Sequence, residues 1–106
     1  MWILQSSESE AEFEPLTFRM SPGTIRTIGR SAAADLILDV ALVSRIHCRL
    51  EANDETLEVT DLESTNGIYV NGERVWTAHM IPGDRLKVGR VELQVGRVEL
   101  QVGRSA

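Results

Sequence analysis

Hydrophobic and polar residues alternate along this chain in short runs, each closed by turn-forming residues. "LTFRM" (16–20) ends at Ser21-Pro22-Gly23, and "TIRTI" (24–28) follows. "LIL" (36–38), "HCRLE" (47–51) and "TLEVTDL" (56–62) continue the pattern. "IYV" (68–70) and "ERVW" (73–76) flank Asn71-Gly72, a pair suited to a two-residue hairpin because both residues tolerate positive φ. "RLKV" (85–88) comes after Pro82-Gly83-Asp84. A period of two sorts side chains onto two faces of a strand, and no segment keeps the 3.6 period of a helix. The pattern predicts about ten antiparallel strands in a β-sandwich or barrel. "EAEFEPL" (10–16) fits a strand or a loop equally.

The C-terminal end departs from this variety. "VGRVELQVGRVELQVGR" (88–104) spells VGRVELQ twice and begins it a third time. A heptad coiled coil would place Val88, Val95 and Val102 at one position and Val91 and Val98 at another. Each heptad holds a glycine, however, and the run is shorter than such a pattern needs. A strand fits better, with Val91, Leu93 and Val95 alternating with Glu92 and Gln94. Seven is odd, so in one straight strand Val98, Leu100 and Val102 face away from Val91, Leu93 and Val95. Either a turn or bulge at Gly96-Arg97 separates the copies, or they are alternatives for one slot.

The 106 residues suit one domain. The net charge of −5 argues against nucleic acid as a direct partner. No apolar run approaches the roughly 20 residues of a spanning helix, so no membrane role is expected. "MWILQSSESEAE" lacks the basic and apolar regions of a secretory signal. The lone cysteine, Cys48, permits no internal disulfide, which fits an intracellular setting.

Three segments stand apart from sandwich patterning: "TIGRS" (27–31), "LVSRIHCRL" (42–50) and "DLESTNGIYVNG" (61–72). Their polar residues are those a phosphate site built from loops would use. Arg30 offers a planar, permanently charged fork to phosphate oxygens, and Ser44 a hydroxyl donor. Thr65 and Asn66 precede Gly67, whose tolerance of positive φ would let backbone amides point outward. The Asn66 side-chain amide both donates and accepts, which suits a peptide backbone.

Gly29-Arg30, Ser44-Arg45-x-His47, Ser64-Thr65-Asn66-Gly67 with Asn71-Gly72, and Gly83-Asp84 together resemble the forkhead-associated (FHA) domain over about residues 24–95. The resemblance implies an all-β, antiparallel sandwich of eleven strands whose loops bind phosphothreonine peptides. It implies that Arg30 and Ser44 hold the phosphate with help from Arg45 and Thr65. Asn66 would grip the peptide main chain. Gly29 and His47 would be structural, His47 buttressing the loops, and Gly67, Asn71 and Gly72 would shape turns. No cofactor or metal is implied. The Met1-Trp2 start is also similar to nibrin-like DNA repair proteins, which would imply a nuclear, DNA-damage role.

Plainer readings exist for each residue. Arg30 could be a solvated arginine, Ser44 the end of a loop, and Asn66-Gly67 only a turn. Cys48, His47 and His79 are too few and too dispersed for a zinc site. Trp2 and Trp76 suit core or edge packing. A Ser44–His47 catalytic pair lacks the Gly-x-Ser-x-Gly elbow, and on an extended chain the two side chains point apart, so no catalytic residue is assigned. A scaffold or dimerisation domain is the remaining rival.

In the FHA family the last strand lies beside the first, here "WIL". The domain would then span 1–95, with 96–106 a duplicated segment or tail. Copy one (91–95) leaves a two-residue turn at Gly89-Arg90, whereas docking copy two (98–102) lengthens that connection by seven residues, at roughly 1 kcal/mol. Copy one is expected to dock, with a minority of the other register. A free copy would offer a strand for homodimer pairing. Phosphate binding is expected to stay largely intact, because the copy lies far from the motif loops in sequence.

Overall fold

In the computed structural model, which describes residues 1–6 and 15–98, the alternating runs become eleven strands. They are β1 (Trp2–Ser6), β2 (Thr17–Met20), β3 (Ile25–Gly29), β4 (Leu36–Ile37), β5 (Cys48–Ala52) and β6 (Leu57–Asp61), then β7 (Ile68–Val70), β8 (Glu73–Val75), β9 (Thr77–Met80), β10 (Arg85–Val88) and β11 (Val91–Arg97). One sheet runs β2-β1-β11-β10-β7-β8 and the other β4-β3-β5-β6-β9. Every pairing is antiparallel except that of the two-residue β4 with β3.

The inward-facing positions close the core. Leu4, Leu86, Leu93 and Ile68 from one sheet meet Ile28, Leu50, Val59 and Leu57 from the other, all fully buried. Burial of each such side chain is worth about 1.5–3 kcal/mol, so register in both sheets is fixed by the face it must hide. Trp2 is also fully buried, and its indole N–H donates to the Asn53 carbonyl at 2.8 Å. Trp76 differs from the packing expected of it: it is 68% exposed at the corner where the chain leaves β8 and enters β9. No glycine, proline or asparagine separates those two strands, so β9 was illegible as a strand of its own.

Both two-residue hairpins have the φ signs that their twist demands. Asn71 and Gly72 sit at φ 53° and 87°, the arrangement of a type I′ turn. At Gly89-Arg90 only the glycine is positive, at 63°, as in type II′. Copy one of the repeat is docked, with Val91, Leu93 and Val95 buried. No turn or bulge interrupts Gly96-Arg97. The strand continues straight, the Val98 N–H donates to the Met1 carbonyl at 2.8 Å, and Val98 is 46% exposed. Parity therefore turns the second copy's first valine outward, as an odd repeat requires. The rest of copy two lies outside the described residues, as does most of "EAEFEPL"; Pro15 and Leu16 of the latter are not in a strand.

Candidate phosphate-binding cleft

The topology gathers the three motif segments at one end of the sandwich. β3 ends there at Gly29 and β5 starts there, since Ile28 pairs with Cys48. β6 ends there because Cys48 pairs with Asp61. The loops 30–35, 38–47 and 62–67 are therefore neighbours in space although distant in sequence.

Backbone contacts clamp the first two loops together. The Arg30 N–H donates to the Ser44 carbonyl at 2.9 Å and the Ser31 N–H to that of Arg45 at 3.1 Å. This approach is so close that a Cβ on Gly29 would lie 1.9 Å from the Arg45 carbonyl oxygen, so only glycine fits. Arg30 Nε donates to the Val43 carbonyl at 3.0 Å, which holds the side chain in place and leaves its terminal nitrogens for a ligand.

His47 joins the second loop to the third. It is fully buried. Its Nδ1 accepts from the Ser44 N–H at 2.9 Å, and its Nε2 lies 2.8 Å from the Gly67 carbonyl. A carbonyl only accepts and a backbone N–H only donates, so the proton sits on Nε2. The chain bends at Arg45 and Ile46, which brings the Ser44 N–H to the His47 ring where an extended chain would hold them apart. They meet through main chain, with both ring nitrogens committed, which is not the hydroxyl-to-imidazole contact a nucleophile needs. His47 and Cys48 are both buried, His47 in hydrogen bonds to the loops and Cys48, the first residue of β5, in the core. Burial pushes the Cys48 thiol far above its ordinary range, and the charge of Asp61 adds to the rise.

The Ser44 Oγ accepts from the Thr65 N–H at 3.1 Å, leaving the hydroxyl proton to donate elsewhere. Asn66 Nδ2 donates to the Leu42 carbonyl at 2.9 Å; Leu42 is held at φ 74°. Among the described residues nothing bonds to Asn66 Oδ1. The third loop is fixed internally by Ser64, whose hydroxyl donates to Asp61 Oδ1 at 2.5 Å and accepts the Gly67 N–H at 2.9 Å. Two of its amides are thus consumed within the fold, and Thr65 does not offer its N–H outward.

Arg30, Ser44, Thr65 and Asn66 line one open cleft of about 370 Å³, completed by Ala41, Leu42 and Val43. Arg45 is exposed and its side chain does not line the cleft. Asn71 and Gly72 sit at the opposite end of β7, where Asn71 bonds to Asp84 and to the Arg85 N–H. Among the described residues no carboxylate lines the cleft. The chain carries 16 acidic and 11 basic side chains, yet none of the acidic ones is among the residues that line the cleft with Arg30. Among these lining residues nothing offsets the charge of the Arg30 guanidinium, as suits a dianionic ligand.

Sequence reasoning missed Gly89. A Cβ there would lie 2.8 Å from Val43 Cγ2 and 3.0 Å from the Leu42 carbonyl oxygen. The β10–β11 turn thus supports the cleft wall, and the repeat is close to the motif loops in space though far in sequence. The pairing of Val88 with Ile68 brings it there, a relation that only the sheet order reveals.

The family model of the FHA domain matches residues 26–89. The ABC transporter ATP-binding/permease protein Rv1747 of Mycobacterium tuberculosis is 37% identical over 78 residues, covering 74% of this chain and 9% of that protein. The oxoglutarate dehydrogenase inhibitor of Corynebacterium glutamicum is 39% identical over 67 residues, 63% of this chain and 47% of that one. The chain thus spans less than half the length of either relative. A solved structure from a study of phosphothreonine-dependent FHA domain interactions superposes with a TM-score of 0.79 at 28% identity, covering 93% of this chain and 98% of that one. Both named relatives are bacterial, and neither is a repair protein. The likeness to nibrin-like proteins finds no support, since Trp2 is a core residue of β1 that any such sandwich can use.

Proposed function

The chain belongs to the FHA domain family, and on that premise we propose that its loop cleft captures phosphothreonine on a partner protein or peptide, as a binding module that performs no chemistry. The observation that carries this reading is the convergence of Arg30, Ser44, Thr65 and Asn66 on one cleft that holds no carboxylate among the described residues. Arg30 meets the phosphate oxygens with its terminal nitrogens while Nε stays on Val43. Ser44 donates its free hydroxyl proton, and the Thr65 hydroxyl adds a neutral donor. Asn66, tethered through Nδ2, turns Oδ1 to an N–H of the bound main chain.

The apolar side of the cleft, Ala41, Leu42 and Val43, gives the threonine γ-methyl a surface. One methyl is worth only about 0.8 kcal/mol by transfer, so a strong preference over phosphoserine requires the methyl to fix the rotamer as well.

Calorimetric titration tests the reading. A phosphothreonine peptide binds, its unphosphorylated twin does not, and Arg30→Ala removes the difference. Equal binding of both peptides to the wild type refutes it and favours a scaffold or dimerisation domain.

A further inference from the structure

A second cation packs against the third loop, outside the residues that line the cleft. The Arg74 guanidinium, carried by β8, packs against Gly67. A Cβ at Gly67 would fall 2.5 Å from Arg74 Nε and 2.9 Å from both Cζ and Nη2. The glycine at φ 79° thus admits both the turn and the arginine. Arg74 is exposed, and among the described residues it makes no hydrogen bond or ion pair. An arginine side chain held only by packing, against the glycine that follows Asn66, keeps its donors for something outside the chain.

The surroundings extend this surface. Tyr69 pairs with Arg74 on the outward face, and Lys87 lies over the Tyr69 ring at 5.8 Å. The β7–β8 ladder stops at Ile68 and Val75; the next residues outward are Gly67 and the exposed Trp76. Lys87 has Glu92 opposite it in the sheet, which offsets its charge. Arg74 has no such neighbour across its pair.

We propose that Arg74 forms a second subsite that reads an acidic side chain of the bound peptide, a few residues from the phosphothreonine. This rests on the reading of the cleft as a phosphothreonine site. The phosphate fixes the peptide on the Arg30 side of the third loop. A carboxylate on the same peptide then reaches Arg74 without further ordering of the protein, because Gly67 already positions the guanidinium. An ordered arginine on a solvated surface supports about three- to tenfold selection.

The test is a set of phosphothreonine peptides with Asp, Ala or Lys at each flanking position in turn, titrated against the wild type, Arg74→Lys and Arg74→Glu. At one or two positions the wild type prefers Asp over Lys by about fivefold. Arg74→Lys keeps the order, and Arg74→Glu inverts it while phosphate dependence persists. Equal binding of Asp and Lys peptides at every position, or an order that survives Arg74→Glu, overturns the subsite and leaves the cleft standing. Loss of phosphate dependence in the wild type would instead sink the cleft reading, and the subsite with it.

Discussion

His47 donates its ring Nε2–H to the Gly67 carbonyl across 2.8 Å, and that contact is the buried one among the hydrogen bonds that tie the loop bearing Ser44 to the loop bearing Thr65 and Asn66. The relation explains why a buried histidine belongs beside a cleft it never enters. Ser44 is located by its own N–H on Nδ1, and Thr65 by its N–H on Ser44 Oγ. The imidazole is thus the common reference for two groups that line the cleft.

His47→Ala would strand the Ser44 N–H and the Gly67 carbonyl and leave a cavity. The expected loss is about 3 kcal/mol of unfolding free energy, read by urea denaturation. Phosphopeptide affinity falls at least tenfold, since both donor loops lose their spacing. Nitrogen-15 spectra of the wild-type ring should show the Nε2–H tautomer. An Nδ1–H tautomer would contradict the loop-joining geometry.

Glycines in this chain should differ sharply in what they tolerate. At Gly29 an added methyl meets main chain at 1.9 Å, so β3 and the 38–47 loop must part. Gly29→Ala is expected to cost more than about 4 kcal/mol or to prevent folding. At Gly83 nothing lies within 4 Å and only a φ of 99° resists a side chain, so Gly83→Ala should cost about 1–2 kcal/mol. Thermal melts of the two variants check the contrast.

Cys48 gives a pH dependence of definite sign. Its thiol is raised in the folded state above an ordinary value of 9.0, by burial first and by Asp61 second. Below that value neither state ionises and the stability is fully present. Above it the unfolded thiol loses its proton while the folded one keeps it, so stability falls by about 1.4 kcal/mol per pH unit. Cys48→Ala should cost about 1 kcal/mol at neutral pH through the lost packing and flatten the decline above pH 9 relative to the wild type. Parallel slopes for the two proteins would refute the assignment.

Most strands and the residues that line the cleft could be read from residue order, for different reasons. Strands such as β5 and β6 announce themselves because one face is apolar and the period is two. That Arg30, Ser44, Thr65 and Asn66 belong to one cleft is legible because their motifs are short and each carries its own polar chemistry. Arg45 was assigned to the ligand by resemblance, but its side chain does not line the cleft, while its carbonyl proved structural. Gly89 and Arg74 act through sheet neighbours, Val88 with Ile68 and Arg74 with Tyr69, and register of that kind is invisible until the strand order is known. Trp76 escaped because a corner between two sheets exposes a residue that pattern alone would bury.

The tandem repeat yields the last prediction. Residues 98–104 repeat the seven residues of β11 letter for letter, so a second register would return the same apolar groups to the core and an arginine to the Trp2 ring, where Arg97 now lies 5.0 Å from the centroid. What distinguishes the registers is the connection after β10. Copy one closes it with Gly89-Arg90 against Val43 and Leu42, and copy two would lengthen it by seven residues, costing roughly 1 kcal/mol. The minor register should therefore be populated at several per cent or more, and its longer turn would displace the support beneath Leu42. Two sets of amide signals are expected for residues near Gly89 and Leu42, exchanging slowly. Deleting 96–102 rebuilds β11 with Gly103 and Arg104 in place of Gly96 and Arg97, and should leave the major set alone with phosphopeptide affinity equal to or slightly above that of the full chain. A single set of signals in the full chain, unaltered by the deletion, would show that the copies do not compete.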